Sequence, residues 1–390
     1  MDPMTLLAIL AAVYILIYIV ARVIGPEKLS ARGIEATTPF LIILKTERLN
    51  ALLTRAGRRI PRIFFNVGIV VAFGGMVFGF WMLLDNLIKF FVTPVSAGGV
   101  VPIVPGVTVT GTPLIYLMIA LAITLLTHEF AHGLASARDD IPIKSSGLLF
   151  FLLLFGGFVE PDEEVFEKKA SPRARMRLLA AGSFMNIICA FIVMLLIANF
   201  GAMMSIAFNP PSGAYVYDIV PGSPASNALQ VGDVIIGLND TEIQNWANVS
   251  TFMIDAPAGS NLTIVTLNRG SVTITLAPHA QNESRGYIGI YGADYWEPKP
   301  GWEWIPGGPM YAFHLQQTLS WSFVILFSVA LFNLLPIPLL DGDKLLSNGL
   351  SILIEDERKI RAIMYPLRIL SLAIVLLNVG LSLALGKGLF

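Results

Sequence analysis

Six stretches of this 390-residue chain are apolar over about the 20 residues a helix needs to cross a bilayer, and no other feature restricts the fold so severely. They lie at 4–21, 63–84, 113–137, 178–200, 311–335 and 366–386. In hydrocarbon every backbone N–H and C=O must be satisfied within the protein, so isolated runs of this length fold as helices. Composition agrees: 55% of residues are hydrophobic and 14% charged, with a mean hydropathy of +0.71. A soluble domain carries about one quarter charged residues. The expected fold class is a polytopic α-helical membrane protein. Met1-Asp2-Pro3 has no basic residue and the run after it is long for a signal peptide, so the first stretch is expected to be a retained span. Cys189 is the only cysteine, which excludes an intramolecular disulfide.

The basic residues give a topology. Segments 22–62, 138–177 and 341–368 hold nine, seven and five of the 26 Lys and Arg, and the alternate segments hold the other five. The positive-inside rule puts the first three segments in the cytoplasm and both termini outside. Within 22–62, Pro39-Phe40-Leu41-Ile42-Ile43-Leu44 is apolar but too short to cross, so a segment lying on the cytoplasmic membrane surface is expected. Gly68, Gly74, Gly75 and Gly79 in the second run would let neighbouring helices approach closely. The stretch Ser146 to Val159 is apolar, bracketed by Gly and about two-thirds of a spanning length, which reads as a re-entrant segment.

The third run, starting at Pro113, contains Thr127-His128-Glu129-Phe130-Ala131-His132-Gly133 near its end. Two histidines four residues apart share one helix face and can bind one Zn²⁺, while the glutamate reaches a water on the metal. A charged group at the centre of a span costs roughly 2.5 to 3.5 kcal/mol, so ionisable residues kept there usually have a partner and a task. His132 and His128 precede Arg138 by six and ten residues, so they lie roughly 9 and 15 Å inside that charge, nearer the cytoplasmic face.

A catalytic zinc takes three protein ligands and keeps one position open. His279 belongs to the exterior region, and His314 begins its span on the exterior side, 27 residues before Asp341. Asp341 follows the break Asn333-Leu334-Leu335-Pro336-Ile337-Pro338 at the cytoplasmic end of the fifth run and has the right depth. The expected ligands are therefore His128, His132 and Asp341. Glu129 is the general base, and Asn333 either donates to a developing oxyanion, holds the substrate or satisfies carbonyls freed by the prolines. The fourth run opens with Ala180-Ala181-Gly182-Ser183-Phe184-Met185-Asn186. Helix packing accounts for its small residues, while Asn186 would be costly against lipid and is expected to face the metal helix.

Residues 213–278 change character, with alternating apolar residues and turn signals typical of a small folded domain. Strands are expected at 215–220, 233–238, 262–268 and 271–276, the last two paired through Arg269-Gly270. Pro221 to Asp233 resembles the signature of a PDZ domain, although Asn227-Ala228-Leu229 stands where Ala-Gly-Leu is commoner. Trp296, Trp302 and Trp304 are expected to anchor the next stretch at the membrane interface.

His128-Glu129-x-x-His132, Gly182-x-x-x-Asn186 and Asn333-x-x-Pro336-x-Pro338-x-Leu340-Asp341-Gly342 resemble the three motifs of the site-2 protease family of intramembrane zinc metalloproteases. They occur in the family's order, with the PDZ-like domain between the second and third, and the resemblance covers 113–342. It implies one Zn²⁺ per chain on His128, His132 and Asp341, catalysis by Glu129 with Asn333, and supporting roles for Gly182, Asn186, Pro336, Pro338 and Gly342. It implies cleavage of single-span membrane proteins within their transmembrane segments, with membrane lipid and a peptide tail on the PDZ-like domain as further partners and no nucleic acid. The whole would comprise about six spans, one re-entrant segment and an inserted PDZ-like α+β domain. Its regions are 1–112, an N-terminal two-span extension; 113–207, the first half of the catalytic core; 208–280, the PDZ-like exterior domain; 281–310, an aromatic-rich linker; 311–342, the second half of the core; and 343–390, a cytoplasmic segment and final span. Two other classes compete. A transporter would show paired broken helices in related halves, which this chain lacks. A catalytically inactive scaffold binding proteins through the PDZ-like domain would tolerate loss of Glu129 or Asp341, and both are present.

Overall fold

A computed structural model describes residues 3–387 apart from 153, 281 and 309. Met1 and Asp2, ahead of the expected first span, and Leu153 of the expected re-entrant segment lie outside the described residues. In chain order the elements are α1 (Pro3–Ile24), α2 (Pro26–Ser30), β1 (Ile34–Thr38), β2 (Leu41–Lys45), α3 (Glu47–Arg59), α4 (Arg62–Val92), α5 (Thr112–Arg138), β3 (Ile143–Phe151), β4 (Leu154–Pro161), α6 (Glu163–Lys168) and α7 (Pro172–Ala198). They continue with α8 (Phe200–Met204), β5 (Ala214–Ile219), β6 (Val234–Leu238), β7 (Thr241–Glu242), α9 (Trp246–Asp255), β8 (Asn261–Thr266), β9 (Gly270–Thr275), β10 (Ala277–His279), β11 (Asn282–Tyr287) and β12 (Ile290–Asp294). Three helices close the chain: α10 (Met310–Asn333), α11 (Asp341–Leu353) and α12 (Glu357–Ala384). Two compact units divide it, one formed by Met1–Met194 with Thr318–Phe390 and one by Leu195–Gln317.

In the first unit, α4, α5, α7, α10 and α12 are long and apolar enough to cross a membrane, α10 continuing in from the second unit. The first expected span falls in α1, where Ile9–Ile24 forms a shorter apolar helix among the described residues. The last expected span, 366–386, begins earlier, at Glu357, because Pro366 is carried inside α12 and does not start it. Three of the four glycines in α4 meet a neighbour. A Cβ on Gly68 would lie 2.8 Å from the Phe184 ring, one on Gly75 2.8 Å from Leu334, and one on Gly79 3.6 Å from the Leu331 carbonyl, whereas Gly74 faces open space. So α4 packs directly on α7 and on the end of α10, and its glycines make the approach close.

Asp139, just past the end of α5, is only 3% exposed and takes two bonds of 2.6 Å from Arg177 of α7. Arg177 also donates to Asn66 of α4 at 3.1 Å, so one guanidinium joins three helices.

The two apolar stretches judged too short to cross turn out to be strands of one sheet, in the order β1-β2-β3-β4. Pro39 to Leu44, expected to lie on the membrane surface, forms most of β2 and pairs along β3 from Leu41↔Phe151 to Lys45↔Gly147. Cross-strand bonds satisfy its backbone. Residues 146–159 form the β3–β4 hairpin, with Leu152 at φ +50° in its turn. Gly156 and Gly157 of β4 lie against Leu125, Leu126 and Phe130 of α5, so this hairpin is beside the helix that carries the His-Glu motif.

The second unit is built on a six-stranded sheet in the order β12-β5-β6-β8-β9, with β7 paired to β6. Its core includes Val216, Leu229, Ile235, Leu238, Val249 and Ile264. The expected β8–β9 hairpin is present, in register from Asn261↔Thr275 to Thr266↔Gly270. Strands β11 and β12 lie past residue 280, and β12 pairs with β5, so the sheet takes in part of the stretch expected as a linker. Among the tryptophans expected at an interface, Trp296 is buried with Phe208 and Ala312 instead, because it completes a second small core. Trp302 and Trp304 stack on each other 6.1 Å apart, and Trp304 is 73% exposed.

Candidate metal centre

Helix α5 starts at Thr112-Pro113, where a proline in the first turn loses no hydrogen bond, and runs to the charged Arg138-Asp139-Asp140. His128 and His132 stand one turn apart on it, their rings edge to face with centroids 4.7 Å apart. Their Nε2 atoms are separated by 3.1 Å.

Asp341 is the first residue of α11. Between it and Asn333, the last residue of α10, Pro336 and Pro338 keep the chain unwound, and Leu339 has φ +80° and is 97% exposed. This left-handed backbone is strained for leucine and reverses the chain so that Asp341 returns to the end of α10. Gly342 makes the return possible, since a Cβ there would lie 2.0 Å from the Leu334 carbonyl oxygen. Asp341 Oδ2 ends 3.3 Å from His128 Nε2 and 3.2 Å from His132 Nε2.

The donor set fits a zinc ion. Ligands about 2.0–2.1 Å from a tetrahedral zinc stand roughly 3.3 Å from one another. The three edges here are 3.1, 3.2 and 3.3 Å. The wall behind the triangle is backbone: a Cβ on Gly182 of α7 would sit 2.5 Å from His128 Cε1 and 2.6 Å from the Nε2 of either histidine. No side chain but glycine fits there.

Each donor is held by an outer partner. His132 Nδ1 lies 2.8 Å from the Leu178 carbonyl, which turns its Nε2 inward. His128 Nδ1 faces the Asn186 amide at 3.4 Å. Asn333 donates to Asp341 Oδ2 at 2.8 Å, and its Nδ2 is 3.4 Å from Ser183 Oγ and from His128 Nε2. Of the three roles open for Asn333, this geometry matches a fourth more closely: it grips the carboxylate eight residues ahead. Asp343 accepts two bonds from Arg368 of α12, at 2.6 and 2.8 Å, and so ties α11 to the last span. Glu129 Oε2 accepts from the Val159 N–H of β4 at 3.3 Å.

The structure thus brings His128, Glu129, His132, Gly182, Asn186, Asn333 and Asp341 to one place, with Pro336, Pro338 and Gly342 shaping the turn that delivers Asp341. Sequence reasoning assigned nothing to Thr127, Leu178, Ser183 or Val159. Thr127 was visible as the residue next to the first histidine. The others act through backbone atoms or at a 3.4 Å contact that no pattern marks.

Residues 116–377 match Peptidase family M50. An uncharacterised protein of Methanocaldococcus jannaschii is 29% identical over 296 residues, covering 72% of this chain and 70% of that protein. The membrane-bound transcription factor site-2 protease homolog of Arabidopsis thaliana is 26% identical over 224 residues, 54% of this chain and 42% of that one. The regulator of sigma-W protease RasP of Bacillus subtilis is 24% identical over 120 residues, 30% of this chain and 27% of its own. The chain therefore spans less than half the length of the last two relatives. Among solved structures, the PDZ domain of an SdrC-like protein from Listeria monocytogenes is similar to 21% of this chain and 87% of its own, at 21% identity and a TM-score of 0.19.

Proposed function

The chain belongs to peptidase family M50, the site-2 protease family, and from that premise we propose that it is a zinc metalloendopeptidase that cuts single-span membrane proteins within their transmembrane segments. One observation carries the proposal: two imidazole nitrogens and a carboxylate oxygen stand at tetrahedral edge lengths on elements of a membrane-spanning core. His128, His132 and Asp341 are the ligands. Bound there, Zn²⁺ supplies Lewis acidity, polarising the scissile carbonyl and acidifying a water.

The protein's own groups do the rest. Glu129 has one oxygen held by Val159, and its Oε1 takes a proton from the attacking water and returns it to the leaving amine nitrogen. Asn333 keeps Asp341 aimed across the unwound turn, as outer hydrogen-bond partners do for metal ligands. A substrate helix exposes its carbonyls only when locally unwound, and the β3–β4 hairpin, which reaches Glu129 through Val159, gives such an extended segment a neighbour with matching backbone. The distribution of Lys and Arg supports a centre near the cytoplasmic face with the sheet domain outside. In that domain a cavity of about 170 Å³ between α9 and residues 285–290, where β11 gives way to β12, is lined by Trp246, Val249, Met253 and Ile288 with His279 and Arg285, which supports capture of an exterior peptide tail.

The test compares purified wild type with Glu129→Gln on a single-span substrate and assays zinc in both. Wild type is expected to cut within the span, and Glu129→Gln to keep one zinc per chain while cutting about 10²–10⁴-fold more slowly. Equal cutting by both, or no zinc in either, would return the scaffold reading.

A further inference from the structure

We propose that Trp246 stops the groove of the sheet domain after one side chain, so that the domain reads the last residue of an exterior chain end and is blind to the residues before it. This rests on the reading that a peptide tail docks in that groove, and it makes Trp246 the residue that sets how much of the tail is read.

The groove runs between α9 and β12, the strand at the end of its sheet. An extended peptide can add to such an edge, with pockets for its alternate side chains. Here the second pocket is filled. The Trp246 ring, in the first turn of α9, lies so close over β12 that a Cβ on Gly292 would be 2.2 Å from Trp246 Cζ3 and 2.3 Å from Cε3. The same turn is pinned to the strand, since Asp294 Oδ1 accepts from the Trp246 N–H at 2.8 Å. Trp246 is also packed against the core of the domain, so it is a fixed wall. No chain runs between α9 and β12 at this level without displacing the indole.

The other half of the groove is built for a chain end. The Ile288 carbonyl accepts from the Ala225 N–H at 3.1 Å, and the Gly289 carbonyl from the Val220 N–H at 2.9 Å. In a trans peptide the N–H points opposite to the C=O, so the N–H groups of Gly289 and Ile290 turn away from residues 220–225 and toward the cavity that both residues line. Gly289 has φ +86°, and a Cβ there would lie 2.1 Å from Ser223 Cβ, so only glycine permits this turn. Successive N–H groups of this kind make an anion-binding concavity. Arg285, steadied by its Nε bond to the Met253 carbonyl at 2.8 Å, and His279 also line the cavity, and among its described lining residues there is no Asp or Glu. These charges suit a terminal carboxylate and not a terminal amine. Beside them Val249, Met253 and Ile288 are buried and seat one apolar side chain. The next side chain to point into the groove belongs two residues back, because a strand alternates. Gly292 lies two residues beyond Ile290, and there Trp246 stands.

Fluorescence anisotropy on the purified chain in detergent tests this with a labelled Gly-Ser heptapeptide ending in valine. Replacing the valine by serine, or capping its carboxylate as an amide, is expected to weaken binding about tenfold or more. Placing leucine, tryptophan or glutamate two residues before the end should change it by less than about twofold. In Trp246→Ala, checked for a folded thermal transition, the same three replacements should spread the affinities about tenfold, because the freed space now meets that side chain. Trp246→Phe keeps a ring over Gly292 and should stay as insensitive as wild type. A wild type that already discriminates at that position, or a folded Trp246→Ala that remains blind to it, would overturn the stop. Equal binding of the amide would mean that no chain end is read. Should Trp246→Ala fail to fold, the wild-type peptide series decides. The assay needs neither zinc nor cleavage, so the two readings fail separately. If no peptide binds a wild type that cuts its substrate, this proposal falls and the protease reading stands; the expected peptide binding by a chain that holds no zinc would do the reverse.

Discussion

Gly182 contributes no side chain, and the centre depends on that absence. With a methyl there, 2.5–2.6 Å from both imidazoles, the rings would have to turn away from Asp341. Gly182→Ala is expected to weaken zinc binding by roughly tenfold or more, as displaced outer contacts do, while the transition temperature changes little; chelator competition measures the first and thermal unfolding in detergent the second. The clustering of the two histidines was legible because a four-residue separation puts His128 and His132 on one helix face whatever surrounds them. Depth along the spans then singled out Asp341 over His279 and His314. The outer partners were not legible in the same way. Asn333 had several groups within reach of a broken helix, and only the fold shows that it turns to Asp341. The carbonyl of Leu178 carries no sequence signal at all, since any residue would supply it.

At the scale of elements, the long helices were plain and the β1–β4 sheet was not. Strands facing water on one side alternate, but Leu148 to Phe155 is apolar on both faces, so periodicity could not separate a hairpin from a re-entrant run. The register is instead marked by a glycine. Gly147 pairs with Lys45, and a Cβ on it would lie 1.8 Å from the Leu44 carbonyl oxygen. Gly147→Ala must separate β2 from β3, a cost of about 3 kcal/mol at the upper end of overpacking. It is expected to lower the thermal midpoint and to expose Lys45 to trypsin, and unchanged proteolysis would contradict the pairing. The last helix is longer than its apolar run, because α12 starts at Glu357 and carries Pro366 in its interior, as proline is tolerated in membrane helices whose neighbours satisfy the freed carbonyl.

Across the whole molecule, the N-terminal region divides in two. Helix α4 is part of the core, packed on α7 and α10 and tied to α12 through Asn86, which donates to Asn378 at 2.9 Å. Tyr14 of α1, by contrast, meets the β3–β4 turn, donating to the Leu152 carbonyl at 3.0 Å. The Arg177–Asp139 pair that joins α4, α5 and α7 is nearly dry, with side chains 9% and 3% exposed. Removing one member leaves the other charge buried, so Asp139→Ala is expected to destabilise by about 3–5 kcal/mol. Glu164→Ala, which breaks the exposed pair with Lys168, should change stability by about 0–1 kcal/mol. Thermal unfolding of both variants in one detergent makes the comparison. The donor triangle itself is drawn from distant parts of the chain, because Asp341 follows His132 by 209 residues. At about 5–20 residues per second of synthesis, the two histidines wait roughly 10 to 40 s for the carboxylate. During that interval the growing chain has α5 in place without the third donor. Until α10 and the turn after it have been made, the donor triangle cannot close, however completely α5 and α7 have packed.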